Sequence, residues 1–532
     1  MTLKSLCTSP SEYYPALEEA YIPSLRAYQE YIRELCLRNP SLSTLSNVLA
    51  SPKARNSDSQ CRATVIEFRD APVRPDIRPV TNIRHMRSEF YRTKQNDLKT
   101  PRKYTEHRIH GRILIIEDLT VEVITLLGTE LDIDPLFLAT HLHTVHRTGM
   151  RHQTPDDAIL PSRIHQSDYI SVSYHQPVTC EEAFPSGAKF TTNSAINRKL
   201  VFLRATNIGL AQNRTSIIKI QQAEDFWLAL ILVDPPLDNN LHRAGGNLNA
   251  GQQVNLELEP YLGAYEDFMK APSFSQSRQF PPRQERGGMM NDLIRYWELD
   301  SPQCFDSLDP SVQSLAYYPL RIVAAQWVKY VAVMQHCIKL YEYEGNHLDL
   351  QKFNMDLREL QGWRRRSMIS QQKVRAVIRH LKMHDSSILE HRADVKLVLE
   401  DFEVINKDIE DAGRRLENML PVVTSLVQII DARQSFAETA NISRLTVLAL
   451  IFVPLSYVSS LFSMNSSNMP GSAHFWVYFA VAIPVTLIVF LIARPPTKEG
   501  FQRLLARAQN TLGRLRQQVA PLELREPGQL NA

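Results

Sequence analysis

The stretch LTVLALIFVPLSYVSSLF, Leu445–Phe462, runs for eighteen residues without one charged side chain. As a helix it covers about 27 Å, close to the hydrocarbon thickness of a bilayer. A second uncharged run, FWVYFAVAIPVTLIVFLIA, Phe475–Ala493, follows after a polar connector, residues 463–474, whose one titratable side chain is His474. Two such runs side by side read as two C-terminal transmembrane helices, because buried core helices of a soluble domain rarely come as adjacent uncharged runs of this length. Each holds a proline, Pro454 and Pro484, which spanning helices tolerate better than soluble ones do. Tyr457, Trp476 and Tyr478 suit the membrane interfaces. Arg433 and Arg444 precede the first run, Arg494, Lys498, Arg503 and Arg507 follow the second, and the connector has no Lys or Arg. The positive-inside rule then gives a multi-pass membrane protein with both termini cytosolic and the connector on the far side. Asn465-Ser466-Ser467 matches a glycosylation sequon but lies hard against the membrane, so it is expected to stay unmodified.

Upstream of the first run, Val398, Phe402, Ile405, Ile409, Ala412, Leu416, Met419, Val423, Leu426 and Ile430 recur at alternating spacings of four and three. This is a heptad stripe on a long helix from about Ile388 to Phe462, with charged residues on its other faces and Pro421 as an expected kink. Two readings cover the stripe: packing against helices of the same chain, or a stalk that self-associates around an axis. The stalk is taken forward here, since so wide an apolar face needs partners. Two amphipathic segments precede it, Ser311–Glu344 and Leu348–Lys382, the second with an expected break near Gly362. They are expected to form an antiparallel hairpin, with Val323, Trp327, Tyr330, Val331, Met334 and Ile338 near one stripe of the first.

The N-terminal half is patterned differently. RILIIED, Arg112–Asp118, is a compact apolar strand; VEVITLLGTEL and DPLFLATHLHTVH read as helices, the second opened by Asp134-Pro135. YISVSYH, KLVFLRAT, TSIIKIQQ and DFWLALILVD read as strands of a mixed sheet. Residues 41–104 and 235–288 are rich in Pro, Ser, Asn, Arg and Gln and read as long loops or disordered insertions. The fold class is an α/β cytosolic domain followed by a long helical stalk and two C-terminal transmembrane helices. In order, residues 1–105 form an N-terminal helix and loop-rich extension, 106–300 the α/β domain with loop insertions, and 305–444 the helical hairpin and long stalk helix. Residues 445–462 form the first span, 463–474 the outer loop, 475–493 the second span, and 494–532 a basic cytosolic tail with an amphipathic stripe from Phe501 to Leu515.

Composition narrows the function. A formal net charge of +3 over 532 residues gives no footing for a nucleic-acid partner. Six cysteines without CxxC spacing read as reduced thiols, not as a disulfide framework or zinc site. GxSxG, P-loop, HExxH and Rossmann glycine motifs are all missing, so an enzyme is not expected and no cofactor is implied. His141, His143, His146 and His152 lie close in sequence, but His141 and His143 are two apart, a poor pair of metal ligands on a helix.

The order of parts, together with LTVLALIFVPLSYVSSLFSMNSSNMPG, resembles the CorA family of divalent-cation transporters, in particular its eukaryotic, fungal-type members. Leu445-Thr446, Ile451-Phe452, Pro454-Leu455-Ser456, Met464-Asn465 and Met469-Pro470 keep the family pattern. GRILIIEDLTVEVITLLGTELDIDPLFLATHL also looks like the family's cytosolic domain. The resemblance implies a homopentamer in the lipid bilayer, its pore lined by the first span. It implies Mg²⁺ as the transported ion and as a regulator that bridges acidic side chains between neighbouring cytosolic domains; Asp401, Asp408, Asp411 and Asp431 are the candidates here. The entrance and selectivity residues would be Ser463, Met464 and Asn465, with Asn465 meeting the metal through its hydration shell. The pore-lining residues would be Ile442, Leu445, Ala449, Val453, Ser456 and Ser460. Ser463 stands where the family has glycine, and Gly471 where it usually has an acidic residue. Those departures keep a second reading open: a non-conducting oligomeric membrane scaffold or sensor built on the same architecture.

Overall fold

The computed structural model describes residues 14–50, 61–69, 75–90, 109–143, 160, 168–181, 184, 188–203, 206–223, 226–244, 252–262, 273–277, 288–344, 350–383, 392–464 and 476–493. Asn465 and the rest of the connector through 475, the tail 494–532, His146 and His152 lie outside the described residues. The chain divides into two compact units, Met1–Val423 and Thr424–Ala532.

The first unit is built on one eleven-stranded sheet: β1 (Arg62–Arg69), β2 (Asp76–Val80), β3 (Ile109–Glu117), β4 (Tyr169–Cys180), β5 (Lys189–Thr192), β6 (Lys199–Phe202), β7 (Ile208–Ala223), β8 (Phe226–Val233), β9 (Asn240–Ala244), β10 (Gln253–Asn255) and β11 (Leu258–Pro260). The main path runs β10-β9-β5-β6-β7-β8-β3-β1-β2, with β4 pairing both β7 and β11. The sheet is mixed, as expected: β3 and β8 are parallel neighbours, and the other pairings are antiparallel. Both parallel strands are nearly continuous apolar runs because both their faces are covered.

One face carries α1 (Tyr14–Arg38), α2 (Ser43–Ala50), α3 (Val121–Glu130) and α4 (Pro135–Leu142). Thr120 caps α3, and Asp134 caps α4 with a 2.8 Å bond from the Leu136 amide. Tyr28 of α1 lies flat against Gly128, where a Cβ would come within 2.2 Å of its ring. The other face packs α5 (Met289–Leu299), α6 (Tyr317–Glu344), α7 (Leu350–Met383) and α8 (Arg392–Ser463) around Trp227, Trp297, Trp327, Tyr330 and Trp363. Trp227 occupies the space over its register partner Gly111 and donates to the Ser307 carbonyl at 2.9 Å. The stripe Val323, Trp327, Tyr330, Val331, Met334 and Ile338 is buried as the spacing of α6 anticipates.

Three expectations are corrected. The supposed loop 41–104 holds α2, β1 and β2, and 235–288 holds β9, β10 and β11. β1 escaped notice because its buried face carries Glu67, held by Arg112 at 2.8 Å and Arg78 at 2.5 Å, so a charge sits where alternation calls for an apolar residue. β2 is an edge strand and tolerates Pro79. α7 runs through Gly362 without a break, whereas α8 is one long helix of 72 residues, as expected. The heptad stripe is also reassigned. Val398, Phe402, Ile405, Ile409, Ala412 and Leu416 are all buried in the cluster formed with α6 and α7 of the same chain. Over that stretch the seam is filled from within, and it leaves nothing for a self-associating stalk.

The second unit contains the remainder of α8 and α9 (Trp476–Ala493). Among the described residues one helix, Ala393–Ser463, is long and apolar enough to cross a membrane; the apolar stretch of α9, Trp476–Phe490, is shorter. Val458 of α8 and Ala482 of α9 are buried, and the Phe462 and Tyr478 rings meet edge to face at 5.9 Å.

Filling of the seam by the chain's own helices predicts a sharp contrast between neighbours. Phe402→Ala should cost about 3–5 kcal/mol, and Val404→Ala, on the exposed side, under about 0.5 kcal/mol. Thermal unfolding of the detergent-solubilised chain reads the difference; similar shifts for the two variants would contradict this packing.

Candidate ion pathway

Backbone polar groups must be satisfied internally in lipid, so a spanning segment is helical, and its helical period decides which side chains share a face. Ile442, Leu445, Ala449, Val453, Ser456, Ser460 and Ser463 fall on one stripe of α8, and each is exposed in the single chain. Pro454 and Val458 are buried and Val447, Leu450, Ile451 and Phe462 half-buried; these mark the opposite side, which belongs to the contact with α9. The stripe thus lies on the face of α8 that α9 leaves open, a face it shares with the equally exposed Leu448, Phe452 and Tyr457. It is apolar from Ile442 to Val453 and hydroxylated from Ser456 to Ser463. The Ser456 hydroxyl donates to the Val453 carbonyl at 2.9 Å and the Thr446 hydroxyl to that of Ile442 at 2.8 Å. Pro454 has no N–H, so the Leu450 carbonyl lacks its usual helical donor. A groove of about 500 Å³ flanks the stripe, lined on α8 by Thr446, Ala449, Leu450, Val453, Pro454 and Tyr457 and on α9 by Val485 and Val489. Ser463 closes α8, and Met464 follows it with its side chain exposed. The structure therefore brings together every proposed pore and entrance residue except Asn465, which lies outside the described residues.

Asp401 pairs with Arg321, while Asp408, Asp411 and Asp431 are spread along the outer sides of α8. Among the described residues no group of three or more His, Cys, Asp or Glu side chains is placed to hold a metal. His141 is instead fully buried. Its Nδ1 lies 3.0 Å from the Ser216 hydroxyl and its Nε2 3.9 Å from Asp234. Arg198 donates to both Asp234 oxygens and to the His141 and His143 carbonyls, all within 2.9 Å, and Arg214 donates to the Thr140 carbonyl at 2.8 Å. Two arginines thus satisfy the carbonyls at the end of α4, where positive charge is favoured. The histidine belongs to this clamp, which makes it structural.

A polar cavity of about 190 Å³ escaped the sequence reading. It opens at the carboxyl ends of β3 and β8 and is lined by Glu117, Asp118, Arg198, Asn213, Asp234 and Asp238 among others. The signal was available, since each of the two apolar strands ends in acid, at Glu117-Asp118 and at Asp234. Asp118 adopts φ 63° and accepts the Ala195 and Ile196 amides at 3.0 and 3.4 Å. Burial pushes the Glu117 carboxyl up from its ordinary range, Arg62 at 3.2 Å opposes the shift, and Asp118 adds to it.

Residues 310–494 match the family model described as CorA-like Mg2+ transporter protein. That segment covers α6 to α9 and includes the whole open stripe of α8. Among solved structures, the complete CorA magnesium transporter from Methanocaldococcus jannaschii is 13% identical, covering 82% of this chain and 98% of its own, with a TM-score of 0.36. The full-length CmaX protein is 12% identical, covering 83% of this chain and 99% of its own, with a TM-score of 0.37. No curated protein sequence matches the chain.

The clamp at the end of α4 carries a pH signature. Burial, then the Arg198 and Arg214 charges, hold the His141 imidazole well below its ordinary value of 6.5. The unfolded chain takes up a proton below about pH 6.5 that the folded chain refuses. This contribution to stability is therefore complete above that pH and is lost as pH falls through it. Replacing His141→Gln should flatten the fall in melting temperature between pH 7 and pH 5; an unchanged slope would contradict the buried neutral imidazole.

Proposed function

We propose that the chain is a membrane transporter for divalent metal cations, with Mg²⁺ as the leading substrate, and that it works as an oligomer. The observation that carries this reading is the stripe Ile442–Ser463 that α9 leaves uncovered, within the segment 310–494 that matches the family model. α8 and α9 provide two spans, both termini lie in the cytosol, and five copies surround the pore as in the family the motif resembles. Helices arranged around an axis with these stripes inward cover the apolar surface of Ile442, Leu445 and Val453, which is about two-thirds exposed in one chain.

The chemistry follows from the ion. Mg²⁺ gives up water reluctantly, so an entrance is better built from oxygens that bind the hydration shell than from a carboxylate cage. Asn465, repeated once per subunit and next in sequence to Ser463-Met464, offers such amide oxygens. Ser460 and Ser456 continue the hydroxylated route. Val453, Leu445 and Ile442 form a dry constriction, which opens and closes by wetting. Ser463, where the motif favours glycine, and the uncharged connector favour one other reading, a scaffold or sensor that no longer conducts.

Flux decides between them. Purified protein in liposomes loaded with a Mg²⁺-sensitive dye should conduct, Asn465→Ala should lower the flux at least about tenfold, a loss of some 1.4 kcal/mol, and Ser463→Gly should conduct no less than the parent. A folded oligomer that moves none of Mg²⁺, Zn²⁺, Co²⁺ and Ni²⁺ would leave the scaffold reading in its place.

A further inference from the structure

The polar cavity at the carboxyl ends of β3 and β8 has no part in the transporter reading. The two strands are parallel neighbours, but the chain leaves β3 for α3 and leaves β8 for β9, so a crevice opens where their ends part. Four carboxylates line it, those of Glu117, Asp118, Asp234 and Asp238, against the single guanidinium of Arg198. Glu117, Asp118, Asp234 and Arg198 are each no more than 5% exposed.

The wall uses its donors internally. Arg198 holds both Asp234 oxygens and the His141 and His143 carbonyls, and the Arg214 amide donates to Asp234 at 2.6 Å. Asp118 takes the Ala195 and Ile196 amides. The Ser194 hydroxyl donates to the Ile196 carbonyl at 2.7 Å, and the Asn213 side-chain amide to Gln176 Oε1 at 2.7 Å. Pro235 and Pro236 have no N–H to offer. What stays open is an acceptor. Glu117 takes the Arg62 guanidinium on Oε1 at 3.2 Å, and its other oxygen makes no hydrogen bond among the described residues, although the side chain is only 5% exposed. A buried carboxylate oxygen without a donor is costly. The upward shift of the Glu117 carboxyl by burial reports that cost, which a proton or an incoming cation relieves.

We propose that this cavity binds a small organic cation, an ammonium or guanidinium group on a short carbon stem, with Glu117 as its anchor and Pro235 and Pro236 against the stem. A wall rich in acid and poor in free donors selects a ligand that brings positive charge and N–H groups together. The cavity volume of about 190 Å³ matches about six liquid waters at about 30 Å³ each, room for a molecule of about six to ten non-hydrogen atoms. A bare metal ion fits less well, because among the described residues no three metal-ligating side chains are placed to hold one. The ligand would join the end of β3 to the end of β8 and to the 192–198 loop, so its binding stabilises the folded domain.

Calorimetric titration of the purified full-length chain with putrescine and with butylamine tests this, in about 0.15 M salt so that attraction to surface acids is screened. At least one of the two amines should bind at one site per chain and raise the melting temperature. Glu117→Gln keeps the shape of the anchor and removes its charge; it should weaken binding at least about tenfold, or about 1.4 kcal/mol. Asp238→Asn at the exposed rim should weaken it about two- to fivefold, and Glu122→Gln, on the exposed side of α3, less than about twofold. Melting temperatures without ligand establish that the variants fold, and should Glu117→Gln not fold, Asp238→Asn carries the test. Amine binding that Glu117→Gln and Asp238→Asn leave unchanged would overturn the cavity as its seat. No binding of either amine to the folded parent would overturn the proposal. Mg²⁺ binding that depends on Glu117, with none by the amines, would put a hydrated metal ion in place of the organic cation. The transporter reading stands or falls separately, on flux.

Discussion

Helical periodicity along α8 is the constraint on which the rest depends. A backbone that crosses lipid must satisfy its own hydrogen bonds, so it is helical, and 3.6 residues per turn then decide which side chains lie together. From Val398 to Leu416 the buried face of α8 is apolar and fills a seam against α6 and α7. From Ile442 to Ser463 one stripe stays open while its opposite packs on α9. From Thr424 to Glu438 the residues in line with that stripe are polar. Each stretch of one helix solves a different burial problem, and the functional reading rests on where the apolar face is left uncovered.

Much of this was legible in the sequence where burial is two-sided and uninterrupted. β3, β8 and the α6 stripe appear where apolar runs and spacing put them, and Asp134-Pro135 opens α4 as its capping chemistry requires. Legibility failed where a charge is buried in company. Glu67 is paired with Arg112 and Arg78, so β1 looks like a polar loop until those partners are brought in from β2 and β3. It failed differently along the heptad. A seam records that a helix has a partner but not whose helix the partner is, and here Trp363, Val374 and Val377 of the same chain provide it.

The candidate site was legible in one respect and hidden in another. The stripe Ile442–Ser460 follows from spacing alone, and the structure adds that α9 covers the other side. The role of His141 could not be read, because its neighbours Ser216, Asp234, Arg198 and Arg214 come from distant strands and loops. The four histidines between 141 and 152 made a poor metal set in sequence, and the fold uses the one it buries to finish a helix end. The acidic cavity between the ends of β3 and β8 has the same origin: adjacent strands bring Glu117-Asp118 next to Asp234 across more than a hundred residues of chain.

The central claim is that the side of α8 left open by α9 lines the ion route. A thiol-accessibility scan of the liposome-reconstituted oligomer tests it most directly. Cysteines introduced singly at Ala449, Ser456 and Ser460 should react with a membrane-impermeant thiol reagent and be protected by millimolar Mg²⁺, while those at Leu450, Val458 and Phe462 should stay inert. Reaction on the α9 side, or none at the three stripe positions, would contradict the account.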